Sequence, residues 1–141
     1  LLDLRQPSES MLKHLREAVT LPEGKYLSHR QEKVYAERIF RLRDAPRQVN
    51  ISLQTIKIGE TGIAAIPFET FAETGLDIKA KSPFKNTFTI ELANGWYGYL
   101  PTPKQHRLGG YETWLGTNWV EINASDRITK QLLHMFRSLE R

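Results

Sequence analysis

Apolar residues recur at helical spacing in the first third of the chain. One helix is predicted to begin at Ser8 or Ser10, either of which can cap it, and to run to about residue 19. A second helix is predicted from the capping-box pattern of Ser28 and Gln31 to about residue 43. The residues expected to form the apolar stripes are Met11, Leu12, Leu15, Val19, Val34, Tyr35, Ile39 and Leu42.

The period then changes from helical to alternating. Residues 49–58 alternate between apolar and polar side chains and predict a strand, and Gly-Glu-Thr-Gly at 59–62 has the composition of a turn. The short run at 63–67 is almost wholly apolar, as in a strand buried on both faces. A strand, a tight turn and a second strand predict an antiparallel hairpin.

A strand, a helix and another strand are predicted at residues 63–93. The helix follows Thr70, which forms a second capping-box pattern with Glu73, and the strand after it covers 86–93. Such a unit is expected to form a right-handed parallel crossover. After a loop, a short strand is predicted at 119–122 and a last helix after Asn123 or Ser125. The expected fold class is α/β, with a mixed sheet flanked by helices.

Residues 94–114 form an unusual loop after the last of these longer strands. They contain four Gly, two Pro, three Tyr and two Trp in 21 residues. Gly and Pro at this density predict irregular backbone, whereas large aromatic side chains predict that the loop is anchored by burial. We therefore expect an ordered loop on a rigid scaffold, the kind of segment that often carries a site.

The predicted topology brings Glu69 close to this loop. Glu69 and the loop each follow the carboxyl end of a strand, and the two strands are expected to be parallel neighbours. Ligands of open α/β sheets bind at that edge. Two simpler explanations stay open: a carboxylate near a helix N-terminus is stabilised by the helix dipole, and Tyr97, Tyr99 and Tyr111 could serve packing alone.

Composition narrows the function classes. The 141 residues suffice for one domain, and no apolar run is long enough to span a membrane. Because the chain has no cysteine, disulfides and thiolate chemistry are excluded. The net charge is +4, but Lys and Arg are dispersed, so no nucleic acid is expected as a partner. Of the four scattered histidines, only His106 in the loop is kept as a candidate for ligand contact.

Two segments resemble the neutral/alkaline non-lysosomal ceramidases. Residues 63–74, Ile-Ala-Ala-Ile-Pro-Phe-Glu-Thr-Phe-Ala-Glu-Thr, followed by Gly75, resemble that family's apolar strand, Pro-Gly-Glu and helix. Residues 92–102, Leu-Ala-Asn-Gly-Trp-Tyr-Gly-Tyr-Leu-Pro-Thr, resemble its Asn-x-Tyr-x-x-Tyr segment, and Tyr111-Glu112 resembles the Tyr-Glu after it. The resemblance covers roughly 49–114 and is closest to short bacterial ceramidase-like hydrolases.

The resemblance implies a zinc-dependent amidohydrolase acting on N-acyl, ceramide-like lipid amides. It assigns Glu69 and Tyr99 as zinc ligands, and Tyr111, 12 residues after Tyr99, as the tyrosine that binds the substrate carbonyl. The implied cofactor is zinc and the implied partner is a lipid amide, with association at a membrane surface as a further expectation. The compartment is left open.

Two departures from the family pattern stand out. Phe68 occupies the position of the Gly that precedes the glutamate in the family, and nothing in the chain matches the family's two histidine ligands. We therefore expect residues 1–141 to be a single domain that forms the C-terminal portion of a ceramidase-like catalytic domain. Its partner would be the missing N-terminal part, and the isolated chain is expected to be inactive.

Two alternative functions remain at this point. One is a ceramidase-like protein that binds a ligand without hydrolysing it. The other is a basic interaction module for anionic membrane or nucleic acid, for which the +4 charge is the argument.

Overall fold

The computed structural model describes residues 1–140, which form helices packed around small sheets. The helices of this part are α1 (Glu9–Thr20), α2 (Glu32–Asp44), α3 (Ala72–Lys81), α4 (Pro103–Leu108), α5 (Ala124–Leu139) and a 3₁₀ turn at Tyr111–Thr113. Its strands are β1 (Leu2–Asp3), β2 (Gln48–Val49), β3 (Gln54–Ile58), β4 (Thr61–Ala65), β5 (Glu69–Thr70), β6 (Asn86–Ile90) and β7 (Tyr99–Leu100). None of the helices within residues 1–140 has the length and apolar character needed to cross a membrane.

The central sheet has the strand order β3-β4-β6 and confirms the predicted mixed α/β topology. β3 and β4 pair antiparallel through a tight turn in which Gly59 has a φ of 57°. β4 and β6 pair parallel, with Ile63 opposite Phe88, and α3 connects them. Both the hairpin and the parallel crossover were therefore predicted correctly.

One face of this sheet packs against α3 and α5 to form the main core. Gly62 lies in that face, and a Cβ there would come within 2.4 Å of the Phe84 ring, so a side chain would not fit. Phe84 packs edge-on against Phe136 of α5, with ring centroids 5.4 Å apart. The buried residues of this core include Ile66, Phe68, Ile78, Leu100, Val120, Ile128, Leu132 and Phe136.

The opposite face of the sheet is apolar and uncovered. Ile56, Ile63 and Phe88 lie in register across the three strands, and Ile58 and Ile90 lie on the same side of the sheet. Phe88 is 49% exposed and Ile58 is 65% exposed. The alternation of the strands places no charged residue of the described chain on this face. A sheet face in contact with solvent is usually polar, so the apolar character of this face is unusual.

The two N-terminal helices form a second, smaller core. The Ser8 hydroxyl accepts a hydrogen bond from the Met11 amide at 3.2 Å, which confirms Ser8 as the cap of α1. α1 packs against α2 through Leu12, Leu15, Ala36, Ile39 and Leu42, and Leu115 joins this cluster from the chain after the aromatic loop. The helical pair is thereby attached to that loop.

Both predicted capping boxes are wrong. The Ser28 hydroxyl donates to the Glu32 carboxylate at 2.7 Å, and α2 begins at Glu32 without a side-chain cap. Thr70 lies in β5, where its amide donates to the Glu91 carboxylate at 2.9 Å, and α3 is capped by Phe71 without a side-chain bond. In each case a carboxylate other than the one expected accepts the hydrogen bond: Glu32 from Ser28 and Glu91 from Thr70.

Three strand boundaries also differ from prediction. The strand expected at 49–58 is divided between β2, which pairs with β1, and β3 in the central sheet. The strand expected at 86–93 ends at Ile90, where the chain turns back. At 119–122 only an isolated bridge forms, between Val120 and Leu4. Within the aromatic loop the chain forms α4, which was not predicted, with the Thr102 hydroxyl as its cap.

Candidate functional site

Glu69 and Tyr99 lie opposite each other on adjacent parallel strands. β5 pairs with β7 in a register that places Glu69 beside Tyr99 and Thr70 beside Leu100. The Glu69 amide also donates to the Gly98 carbonyl at 3.0 Å. Two stretches of sequence 30 residues apart therefore meet in a separate two-stranded parallel sheet, whose strands follow β4 and β6 in the chain. We call this pair of strands the sheet edge.

The Glu69 carboxylate accepts hydrogen bonds from two aromatic side chains. The Trp96 indole N–H donates to its Oε1 at 2.9 Å, and Trp96 is itself held by edge-on packing against Trp119. The Tyr99 phenol is the other donor. This hydrogen bond, reinforced by burial and by the negative charge of Glu69, raises the pKa of Tyr99 to about 12. Glu69 thus makes the Tyr99 phenol harder to ionise than an ordinary tyrosine.

These contacts decide between the explanations for Glu69. The carboxylate lies in β5, before the Phe71 cap of α3, and the acidic residue in the first turn of that helix is Glu73. The Glu73 carboxylate accepts from the Gln105 side chain at 2.6 Å and so connects α3 to α4. Stabilisation by the helix dipole therefore applies to Glu73, and Glu69 belongs to the sheet edge.

Tyr111 lies beside Tyr99 at the start of the 3₁₀ turn. Their ring centroids are 5.9 Å apart, and the Tyr111 side chain is 42% exposed. The preceding Gly109 and Gly110 have φ values of 78° and 110°, which residues other than glycine adopt only at an energetic cost. These two glycines let the chain reverse and place Tyr111 over the edge that carries Glu69 and Tyr99.

A buried tyrosine of α2 supports Tyr111 from behind. Burial and a hydrogen bond with the Tyr111 hydroxyl raise the pKa of Tyr35. The Tyr35 and Tyr111 rings are 6.3 Å apart, and the Trp114 ring contacts both. The helical pair thus contributes to the position of Tyr111 even though α2 carries no motif of its own.

Phe68 and Tyr97 serve packing. Phe68 is fully buried in the main core, because alternation along the strand turns it away from the side that carries Glu69. The Tyr97 ring packs on Phe68 at 5.7 Å, and its hydroxyl donates to the Asn50 carbonyl at 3.3 Å. Although Phe68 is large, its side chain is buried in the core and does not occupy the space beside Glu69.

The histidines stay apart from Glu69 and Tyr99. His106 lies on α4, and its Nε2 is buried without a hydrogen-bond partner among the described residues. Burial, with a smaller effect of the Arg5 charge, lowers the pKa of His106. His14 is bound to Glu32 at 2.5 Å, and His29 packs against Trp114. No three His, Asp or Glu side chains within residues 1–140 converge on a common point suited to a metal.

The sheet edge therefore offers a metal ion two oxygen ligands, the Glu69 carboxylate and the Tyr99 phenol. Zinc accepts carboxylate oxygen alongside nitrogen ligands, and catalytic zinc sites normally use three protein ligands or more. The pair fits part of such a site and needs further ligands to complete it. Trp96 would then be the residue that orients the carboxylate, since outer hydrogen bonds fix metal ligands in place.

Two residues of this arrangement, Trp96 and Tyr35, were not predicted from the sequence. Trp96 lies three residues before Tyr99 in the aromatic loop, and its presence there was the signal that could have found it. Tyr35 was predicted only as part of an apolar helical stripe, and no local pattern distinguishes it from its neighbours. Its contact with Tyr111 depends on how α2 packs against the loop.

Two solved structures share the fold. One is the neutral ceramidase from Pseudomonas aeruginosa, with 17% identity and a TM-score of 0.56 over 62% of this chain and 15% of that chain. The other is a ceramidase complexed with C2, with 17% identity and a TM-score of 0.57 over 62% of this chain and 14% of that chain. No protein-family model and no curated protein matches the chain. The resemblance to neutral ceramidases is thus confirmed for the fold, and the chain spans only a small part of their length.

Proposed function

We propose that the chain is part of a zinc-dependent amidohydrolase of neutral ceramidase type, acting on an N-acyl, ceramide-like amide. The observation that carries the proposal is the register of β5 and β7, which sets the Glu69 carboxylate beside the Tyr99 phenol. The shared fold supports it, because the two residues lie in segments that resemble the same family. Glu69 and Tyr99 would hold the zinc, which would supply a water activated for attack and a Lewis acid for the amide.

In this proposal Tyr111 donates a hydrogen bond to the carbonyl oxygen of the substrate. A phenol O–H directed at the oxygen that becomes negative in the tetrahedral intermediate stabilises that charge. The ring of Tyr111 lies next to Tyr99 and is partly exposed, so its hydroxyl is accessible to a substrate bound at the edge. Tyr35 would keep that hydroxyl in place through the hydrogen bond between the two phenols.

The remaining zinc ligands would come from a further part of a larger ceramidase-like domain. The uncovered face of Ile56, Ile63 and Phe88 supports this proposal, because an apolar sheet face of this kind is normally covered. The solved structures of the same fold are much longer chains, of which this one covers 15% and 14%. One additional layer would cover the face and bring the missing ligands.

The proposal is tested by chelation and restoration in the gene product that contains this chain. Hydrolysis of a fluorogenic N-acyl amide should disappear after removal of the metal and return with zinc, whereas magnesium should not restore it. The separate 141-residue chain should be inactive, because two oxygen ligands hold zinc poorly. Amide hydrolysis by that chain alone, abolished by Glu69→Ala, would show that the site is complete without a further part.

A further inference from the structure

A groove between α1, α2 and residues 113–115 exposes mainly apolar surface, although half of its lining residues are polar or charged. Its volume is about 570 Å³, within the range of small-molecule sites. Met11 and Trp114, which border it, remain 38% and 42% exposed, so apolar surface in the groove is left uncovered. The apolar lining residues are Met11, Leu15, Tyr35, Ile39, Trp114 and Leu115.

Arg5 borders the same groove and carries a charge without an acidic partner. Its Nη1 donates to the Thr113 carbonyl at 2.8 Å and to Asn118 Oδ1 at 2.7 Å, and both acceptors are neutral. None of the ion pairs within residues 1–140 includes Arg5. A partly buried cation beside apolar surface is costly unless an anion accompanies it.

The acidic group that borders the groove is already satisfied. The Glu32 carboxylate accepts hydrogen bonds from Ser28 Oγ at 2.7 Å, from the Leu27 amide at 2.9 Å and from His14 Nε2 at 2.5 Å, and it is only 4% exposed. Because His14 uses the same ring nitrogen toward Ser28 and Glu32, the three side chains do not form a nucleophile-base relay. The charge left for a ligand is that of Arg5.

We infer that this groove binds a long-chain carboxylate, with the aliphatic chain against Met11, Leu15 and Ile39 and the carboxylate paired with Arg5. Charge complementarity selects the carboxylate, and the apolar lining selects the chain. Tyr35 and Trp114 connect the groove to Tyr111. The inference does not rest on the proposed function, because the groove requires neither zinc nor catalysis.

Calorimetry with the 141-residue chain tests the inference with three probes of equal chain length: dodecanoate, dodecanol and dodecyltrimethylammonium. Dodecanoate should bind, dodecanol should bind about tenfold more weakly, and the cation should not bind. Decanoate should bind more weakly than dodecanoate by about fourfold per methylene. Equal affinity for the acid and the alcohol, or no binding of the acid, would overturn the inference.

Variants locate the binding. Arg5→Gln should remove the preference for dodecanoate over dodecanol, and Arg5→Lys should restore part of it. Met11→Asp should weaken dodecanoate binding at least tenfold, whereas Val19→Asp should leave it unchanged; Val19 is on the same helix and is 41% exposed but lies outside the groove. Equal effects of the two aspartates would refute the assignment of the groove. If Arg5→Gln fails to fold, the comparison of acid with alcohol on the unmodified chain still decides.

Discussion

Glu32 and Glu69 are two carboxylates that the fold uses in opposite ways. Glu32, at the start of α2, is 4% exposed and accepts hydrogen bonds from a hydroxyl, an imidazole and two backbone amides. Glu69, at the sheet edge, is only partly buried and is held by a phenol and an indole. The donors to Glu32 anchor the 27–28 loop and α1 to the start of α2, whereas the donors to Glu69 are side chains of the aromatic loop.

The difference separates a carboxylate that holds the fold together from one that is a candidate for chemistry. Burial by itself opposes the ionisation of Glu32, but the hydrogen bonds from Ser28, the Leu27 amide and His14 outweigh it and lower the pKa of Glu32 to about 2. At Glu69 the visible effect is on the neighbour, because the carboxylate raises the pKa of Tyr99. A carboxylate that perturbs an accessible phenol is the better candidate for chemistry.

The largest expected effect is on catalysis at Glu69. In the gene product that contains this chain, Glu69→Gln should lower amide hydrolysis by more than about a hundredfold, because even residues behind a metal ligand are worth 10–100-fold. The free energy of unfolding should change by less than about 1 kcal/mol, since the side chain is partly exposed. Steady-state kinetics and denaturant unfolding measure the two quantities. Activity within tenfold of the unmodified protein would remove Glu69 from the site.

Tyr111→Phe should lower kcat by about 10²–10³-fold, the usual cost of one oxyanion donor. KM and zinc content should stay close to their original values, because Tyr111 is not assigned to the metal. Tyr97→Phe is the matched control, since its hydroxyl donates to the Asn50 carbonyl away from the edge. A similar loss of kcat in both variants would indicate a packing role for Tyr111.

At Glu32 the expected effect is on stability. Glu32→Gln should lower the free energy of unfolding by about 2 kcal/mol, because hydrogen bonds to a charged acceptor are lost inside the protein. Glu37→Gln on the exposed side of the same helix should change it by less than about 0.5 kcal/mol. Denaturant unfolding of the 141-residue chain measures both. Equal values for the two variants would contradict the anchoring role of Glu32.

Acid should destabilise the chain through the same residue. The pKa of Glu32 is about 2 when folded and about 4.5 when unfolded, so the unfolded state binds the proton first. Its contribution is therefore complete above pH 4.5 and is lost as the pH falls toward 2, by about 3 kcal/mol in all. Unfolding measured across this window should show a smaller pH dependence in Glu32→Gln. An unchanged slope would contradict the low pKa.

Much of the sheet could be predicted because its signals are local. Alternation at 49–58, the apolar run after it and the β-branched strand expected at 86–93 predicted the hairpin and the crossover. These in turn predicted that Glu69 lies near the loop that carries Tyr99. The Ser28 capping box failed because Ser28 bonds to Glu32, the residue after Gln31, and the Thr70 box failed because Thr70 bonds to Glu91, 21 residues away. The local sequence does not reveal a hydrogen-bond partner that is distant along the chain.

The same limit applies to the site. Tyr99 and Tyr111 were identified from the loop and the resemblance, since both lie in segments with recognisable spacing. Tyr35 and the groove of Arg5 depend on how α1 and α2 pack against residues 111–115, and the contacts involved join residues 76 and 108 positions apart. Contacts between residues this far apart in the sequence produce no periodic pattern from which they could be predicted.

The most direct test of the central claim is the zinc content of the gene product after dialysis, measured for the unmodified protein, Tyr99→Phe and Glu69→Gln. We predict one zinc per chain in the unmodified protein and a large loss in both variants, with unfolding midpoints that stay close together. Tyr111→Phe should retain its zinc in the same measurement. Full zinc content in Tyr99→Phe and Glu69→Gln would contradict the assignment of this sheet edge as a metal site.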